Sequence, residues 1–220
     1  LDDGTDLDIR QVAITNANAP QHVERLYLAP SGADPATAQL TRLAAEAIRD
    51  ADAIVLGPGS LFESILPNFL IASFRDAVLH SSARKIYICN LMTEPGRTTG
   101  FRVADHIRAI KRYAGFTPDY VLVNAQRIEP EITRLYEAAN QAPVYLDLDD
   151  YEETTLNTVD QLGQRRLMVE GSVVIEADLA ASVIQYTASL ANPTESRAVR
   201  VLRHDGDKLT AAILELLRRT

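Results

Sequence analysis

The residues with the clearest chemical potential lie between 54 and 67, Ile-Val-Leu-Gly-Pro-Gly-Ser-Leu-Phe-Glu-Ser-Ile-Leu-Pro. An apolar run ends abruptly at Gly57-Pro58-Gly59-Ser60. Pro58 lacks an N–H and fixes its own φ, while the glycines allow positive φ and close backbone approach. Ser60 suits the N-cap of a following helix. A strand, a glycine turn and a helix start aim backbone N–H groups at one point, which is the chemistry of an anion site and above all of a phosphate. The same residues also read as a tight turn that only packs, and the turn alone does not separate the two. No Gly-Lys-Ser/Thr follows, so this is not a nucleoside-triphosphate P-loop.

Two further polar groups follow apolar runs. Asn90-Leu91-Met92-Thr93 comes after Ile86-Tyr87-Ile88-Cys89, and Asn124 comes after Tyr120-Val121-Leu122-Val123. Each asparagine either recognises a base or sugar or bonds its own backbone in a turn. His106, inside a helical stretch beside Asp105, is a possible acid or base; a place on the helix surface or core edge is the commoner outcome. His204-Asp205 precedes a helix, and Asp205 is read first as its N-cap. Asp147, Asp149 and Asp150 form an acidic group that could meet Mg²⁺ but reads better as solvated loop. No set of metal ligands can be assigned by spacing.

These groups need elements to position them. Periodicity predicts strands at 7–14, 23–28, 53–56, 85–90, 120–123, 143–146, 167–169, 172–175 and 198–202. It predicts helices at 35–50, after Ser60, and at about 69–79, 102–113, 130–140 and 208–218. Pro67-Asn68 is expected to break the short helix after Ser60, and 177–191 reads as weakly helical or partly loop. Residues 147–171 read as an exposed acidic loop or small excursion. The alternation predicts one α/β domain over 1–220, with a largely parallel sheet and flanking helices. Ligands of such sheets bind beyond the C-terminal strand ends, where Gly57–Ser60, Asn90–Thr93 and Asn124 all fall.

Composition narrows the partners. The chain has 220 residues, 46% of them hydrophobic, and a net charge of −8. That charge, without a basic patch, argues against nucleic acid as the main partner. No apolar run is long enough for a membrane span. The single cysteine, Cys89, excludes a disulfide framework and favours a cytoplasmic setting.

Four segments carry a family resemblance: ADAIVLGPGSLFESILPNFLI, KIYICNLMTEPGRTTGFRVADHIRAI, DYVLVN and RHDGDKL. Together they resemble the gluconeogenesis factor family (YvcK-like), related to the 2-phospho-L-lactate transferases (CofD-like). Family members begin with a further strand and glycine loop, so the resemblance implies that residues 1–220 are the C-terminal two-thirds of such a protein and bind more weakly than a chain carrying both loops. It implies a Rossmann-like α/β fold and a regulatory binder of a UDP-sugar such as UDP-N-acetylglucosamine, supporting cell shape and envelope precursor metabolism. Under this reading Gly57, Pro58, Gly59, Ser60 and Ser64 surround the diphosphate, and Asn90, Met92, Thr93 and Asn124 line the rest of the pocket. No cofactor is required and no metal ligand is assigned. The alternative is a transferase using Mg²⁺ and a nucleotide-diphosphate donor, and a further one is a structural or interaction domain; a homo-oligomer is left open. Two departures stand out. Glu63 replaces a usual Thr and brings negative charge to the presumed phosphate site, and Arg97 and Thr99 stand where the family has carboxylates.

Overall fold

The structure, a computed structural model, describes residues 23–29, 38–146, 167–188 and 196–218. Helix α1 (Arg42–Arg49) leads to strand β1 (Ala53–Leu56), a wide helical turn (Leu61–Ile65), a tighter one (Leu66–Leu70) and α2 (Ala72–His80). There follow β2 (Arg84–Ile88), α3 (Val103–Ala114), β3 (Tyr120–Asn124) and α4 (Pro130–Glu137). The chain then gives β4 (Leu167–Val169), β5 (Ser172–Ala177), β6 (Ala180–Ala188), β7 (Ser196–His204) and α5 (Gly206–Arg218). The main sheet has the order β1-β2-β3-β5-β4, parallel except for β4, which pairs antiparallel with β5. The α/β, Rossmann-like reading is the observed architecture.

Period-2 alternation divides the central strands between two cores. Tyr87 and Cys89 face the layer made by the helical turns and α3, with Leu61, Phe69, Ile107 and Ile110. Ile86, Ile88 and Leu122 face α5, meeting Leu209 and Leu216. Strands covered on both faces read as near-continuous apolar runs, which is why these were legible.

Several boundaries differ from expectation. Residues 23–28 form no strand; Leu26 N–H instead donates to Tyr113 Oη at 2.8 Å. Helix α1 starts at Arg42 and residues 38–40 are not helical, because the Thr41 hydroxyl accepts Ala44 N–H and Leu40 N–H is drawn to Ser73 Oγ. The wide turn after Ser60 ends at Ile65, ahead of Pro67-Asn68, but the chain continues as the tighter turn, whose first turn accommodates the proline. Residues 143–146 form no strand: Pro143 makes an isolated bridge with Met92, and Val144 N–H donates to Leu91 O at 3.0 Å. The stretch 177–191, read as helix or loop, holds β6, which pairs with β7 in a separate two-stranded sheet. Its β-branched and aromatic residues Val183, Ile184 and Tyr186 favour the strand. Residues 167–169, within the stretch read as an acidic excursion, form β4 as their apolar run predicts, and a turn follows. The proposed strand 7–14, the start of the helix at 35 and the acidic residues Asp147, Asp149 and Asp150 lie outside the described residues.

Asp205 caps α5 as expected: its Oδ1 accepts the N–H groups of Asp207 and Lys208 at 3.0 and 3.1 Å. Asp205→Ala is expected to cost about 1 kcal/mol, measured by urea unfolding; an unchanged midpoint would refute the cap.

His106 is a core residue, fully buried, with its Nδ1–H donating to Arg102 C=O at 2.9 Å and its ring beside Tyr87 and Phe101. Burial holds the His106 pKa below its ordinary value, and the Arg102 carbonyl opposes this only in part. The unfolded chain therefore takes up this proton first. Stability from neutral His106 is present above an unfolded pKa of about 6.5 and is lost as pH falls below it. Urea midpoints should drop between neutral pH and about pH 5.5, and less so in His106→Gln; equal slopes in the two proteins would refute this.

Candidate functional site

Parallel pairing of β1 with β2, Ala53 with Arg84 through Leu56 with Tyr87, brings their C-terminal ends to the same edge of the sheet. The glycine turn leaves β1 there, and Asn90 to Gly100 leaves β2. Gly57 has φ +92°, and a Cβ at that position would lie 3.2 Å from Ile88 O and 3.3 Å from Ile65 Cδ1. Its glycine is thus required by the fold itself. Gly59 differs: an added Cβ would meet only Ser64 Cβ, at an ordinary 3.6 Å. Ser60 begins the wide helical turn, and its Oγ accepts Glu63 N–H at 3.3 Å. Such i→i+5 turns recur at functional sites.

The centre of the site is a residue that the sequence reading passed over, Glu94. Its Oε2 accepts the Ser60 hydroxyl at 2.6 Å and its Oε1 accepts Asn90 Nδ2 at 3.2 Å. A single carboxylate thereby ties the two strand ends together. Burial pushes the Glu94 pKa above the usual carboxylate range and the charge of Glu63 adds to this, against the Ser60 and Asn90 hydrogen bonds and the Arg97 cation. Arg97 in turn forms an ion pair with Glu63. The two departures from the family pattern therefore face one another, and the charge of Glu63 does not stand unopposed beside the turn. The signal for Glu94 was present as an acid four residues after Asn90, within a block already singled out; only the folded loop turns it back toward Ser60.

The other expected site residues fall into different places. Ser64 is exposed beside Gly59. Thr93 is buried, and its Oγ1 accepts Ala142 N–H at 2.8 Å, anchoring the segment after α4. Met92 packs with Leu91, Ile132 and Leu202. Asn124 is also committed to backbone: its Oδ1 accepts Leu179 N–H at 3.1 Å and its Nδ2 donates to Gln126 O at 2.9 Å. This is the turn-asparagine reading, extended to pin the β5–β6 junction. His204 reaches the same strand end as Asn90, with Nε2–H donating to Cys89 O at 3.2 Å. Among the described residues no cluster of three or more His, Cys, Asp or Glu side chains could hold a metal ion.

Fold and site together describe an α/β protein with a hydrogen-bonded polar cluster at the C-terminal edge of a parallel sheet. Comparison with known proteins narrows this. The sequence model of the family described as 2-phospho-L-lactate transferase CofD matches residues 1–162. The chain is 39% identical over 145 residues to the gluconeogenesis factor of Bacillus subtilis, which covers 64% of this chain and 44% of that protein. It is 32% identical over 203 residues to that of Halalkalibacterium halodurans, covering 92% and 52%. A crystal structure of a Bacillus halodurans protein superposes with a TM-score of 0.65 at 31% identity, over 90% of this chain and 52% of that one. The chain belongs to the CofD-like family, alongside the gluconeogenesis factors. It spans about half the length of these relatives.

The glycines can be separated experimentally. Gly57→Ala should destabilise the protein by upward of about 1 kcal/mol, from positive φ and the contact with Ile88 O. Gly59→Ala should unfold at the same urea concentration as the parent. Equal loss in both variants would show that Gly59, too, is held by the fold alone.

Proposed function

We propose that this chain contributes a nucleotide-sugar pocket to a regulatory protein of the gluconeogenesis factor type, with UDP-N-acetylglucosamine as the representative ligand. In this role the protein is cytoplasmic and adjusts cell shape and envelope precursor supply. The observation that carries the proposal is the Ser60–Glu94–Asn90 network, which joins polar groups from two adjacent strand ends. Its composition suits such a ligand. A carboxylate beside an amide accepts and donates to ribose or sugar hydroxyls. An arginine and a serine hydroxyl suit phosphate oxygens. Gly59 has no Cβ, and within 4 Å of where one would stand only Ser64 Cβ is met, so a ligand can approach the backbone there.

The family description itself favours a second reading, a transferase. The described residues offer the carboxylates Glu63 and Glu94 near the turn, and Glu63 is paired with Arg97. That set does not make a Mg²⁺ site, so no catalytic step is drawn through one. Among the described residues no helix is long and apolar enough to cross a membrane.

Ligand-observed NMR and calorimetry with UDP-N-acetylglucosamine test the proposal. Saturation transfer to the uridine and sugar protons is expected, with the ligand recovered intact after prolonged incubation. Transfer of a phospholactyl group to a deazaflavin acceptor would establish the enzyme instead. Absence of binding by UDP-N-acetylglucosamine would overturn the nucleotide-sugar reading.

A further inference from the structure

Arg97 sits on the loop leaving β2, yet its guanidinium crosses to the helical turn leaving β1 and donates from one terminal nitrogen to Glu63 Oε1. The Arg97 side chain is 12% exposed and that of Glu63 is 32% exposed, so the cation is the more buried partner. Its Nε–H is buried with no acceptor. A guanidinium offers Nε–H and a terminal N–H as a parallel fork that matches two oxygens of one anion. Glu63 occupies one arm of that fork and leaves the other desolvated and unused. A buried donor without a partner is costly and calls for an explanation.

The surroundings indicate what the fork is for. The charged groups that bear on it are Glu63, from the turn, and Glu94, from its own loop. Beside them lie the Ser60 hydroxyl and the buried Asn90 amide, whose Oδ1 also lacks a partner. With both acids ionised the trio carries a net negative charge, so an incoming anion must displace one of them from Arg97. Glu63, the more exposed of the ion pair, is free to turn to water, whereas Glu94 is held by Ser60 and Asn90.

We propose that Arg97 is the phosphate-reading residue of this pocket, with Glu63 as a stand-in anion that a diphosphate displaces. Both arms of the fork then engage phosphate oxygens, and Glu63 sets the threshold by competing for the same cation. Arg97 and Glu63 thus have opposite effects on affinity, although both take part in one ion pair. This inference rests on the nucleotide-sugar reading for the identity of the ligand, but not for its phosphate.

The opposite signs are the test. UDP-N-acetylglucosamine, inorganic pyrophosphate and uridine are titrated into the parent chain and into Arg97→Gln, Arg97→Lys and Glu63→Gln, with melting temperatures confirming folding. Arg97→Gln should weaken both phosphate ligands by about ten- to a hundredfold, the loss of a charge-assisted hydrogen bond. Arg97→Lys, which keeps the charge without the fork, should lose less. Glu63→Gln should bind both more tightly than the parent. Uridine, without phosphate, should be indifferent to all three. A pair that only braces the loop would make Arg97→Gln and Glu63→Gln fail together, which would overturn the inference, as would unaltered pyrophosphate binding in Arg97→Gln. Pyrophosphate binding that depends on Arg97, without any for UDP-N-acetylglucosamine, would uphold Arg97 while removing the sugar reading.

Discussion

The parallel register between β1 and β2 is the constraint on which the site depends. Hydrogen bonding from Ala53 with Arg84 to Leu56 with Tyr87 leaves no freedom in where the two strands end. A shift of one residue would turn Tyr87 and Cys89 out of one core and Ile86 and Ile88 out of the other. The apolar layers on both faces therefore fix the register, and the register fixes the distance between the glycine turn and Asn90. Gly57 locks the junction further, since a Cβ there would crowd Ile88 O of the neighbouring strand. Stability and site geometry are here the same set of contacts.

Against that rigid edge the electrostatics are finely divided. Glu94 is half-buried between Ser60 and Asn90, which supply hydrogen bonds, and near Arg97, which supplies charge. Burial still dominates, so the carboxyl is more easily protonated than one in water. Arg97 answers Glu63 while leaving one donor without an acceptor. Partly satisfied buried networks are costly in a folded protein, and their presence at the C-terminal edge of a parallel sheet, where ligands of such folds bind, gives that cost a functional sense.

The opposite end of the chain contributes by bracing. Strand β7 returns His204 to Cys89 O, and Asp205 then starts α5 across the second face of the sheet. Asn124 clamps the entry to β6 through Leu179 N–H. The β6–β7 sheet itself is separate from the main one. Its strands carry Val183, Ile184 and Tyr186 to the surface, so it is held by backbone pairing far more than by a core of its own.

The central strands, α3, α5 and the glycine turn were legible because their determinants are local: buried parallel strands are apolar throughout, Ser60 and Asp205 are cap residues, and only glycine tolerates the backbone at Gly57. The family was legible for the same reason, since Gly-Pro-Gly-Ser-Leu and Asn-Leu-Met-Thr stand as contiguous words. The partners across the sequence were not. Nothing near Asn124 predicts that its amide will be spent on Leu179, or near Thr93 that it will hold Ala142. Strand β6 has no helical or clean alternating period, because a core covers it only at Ala180 while Ser182 to Tyr186 are exposed, and its pairing with β7 defines it. Glu63 and Arg97, 34 positions apart, read separately as departures and became one ion pair when two loops met. Local sequence determined which segments are strands and where the turn must contain glycine; long-range closure decided which polar groups share a pocket, because hydrogen bonds and ion pairs act over ångströms in space, whatever the separation along the chain.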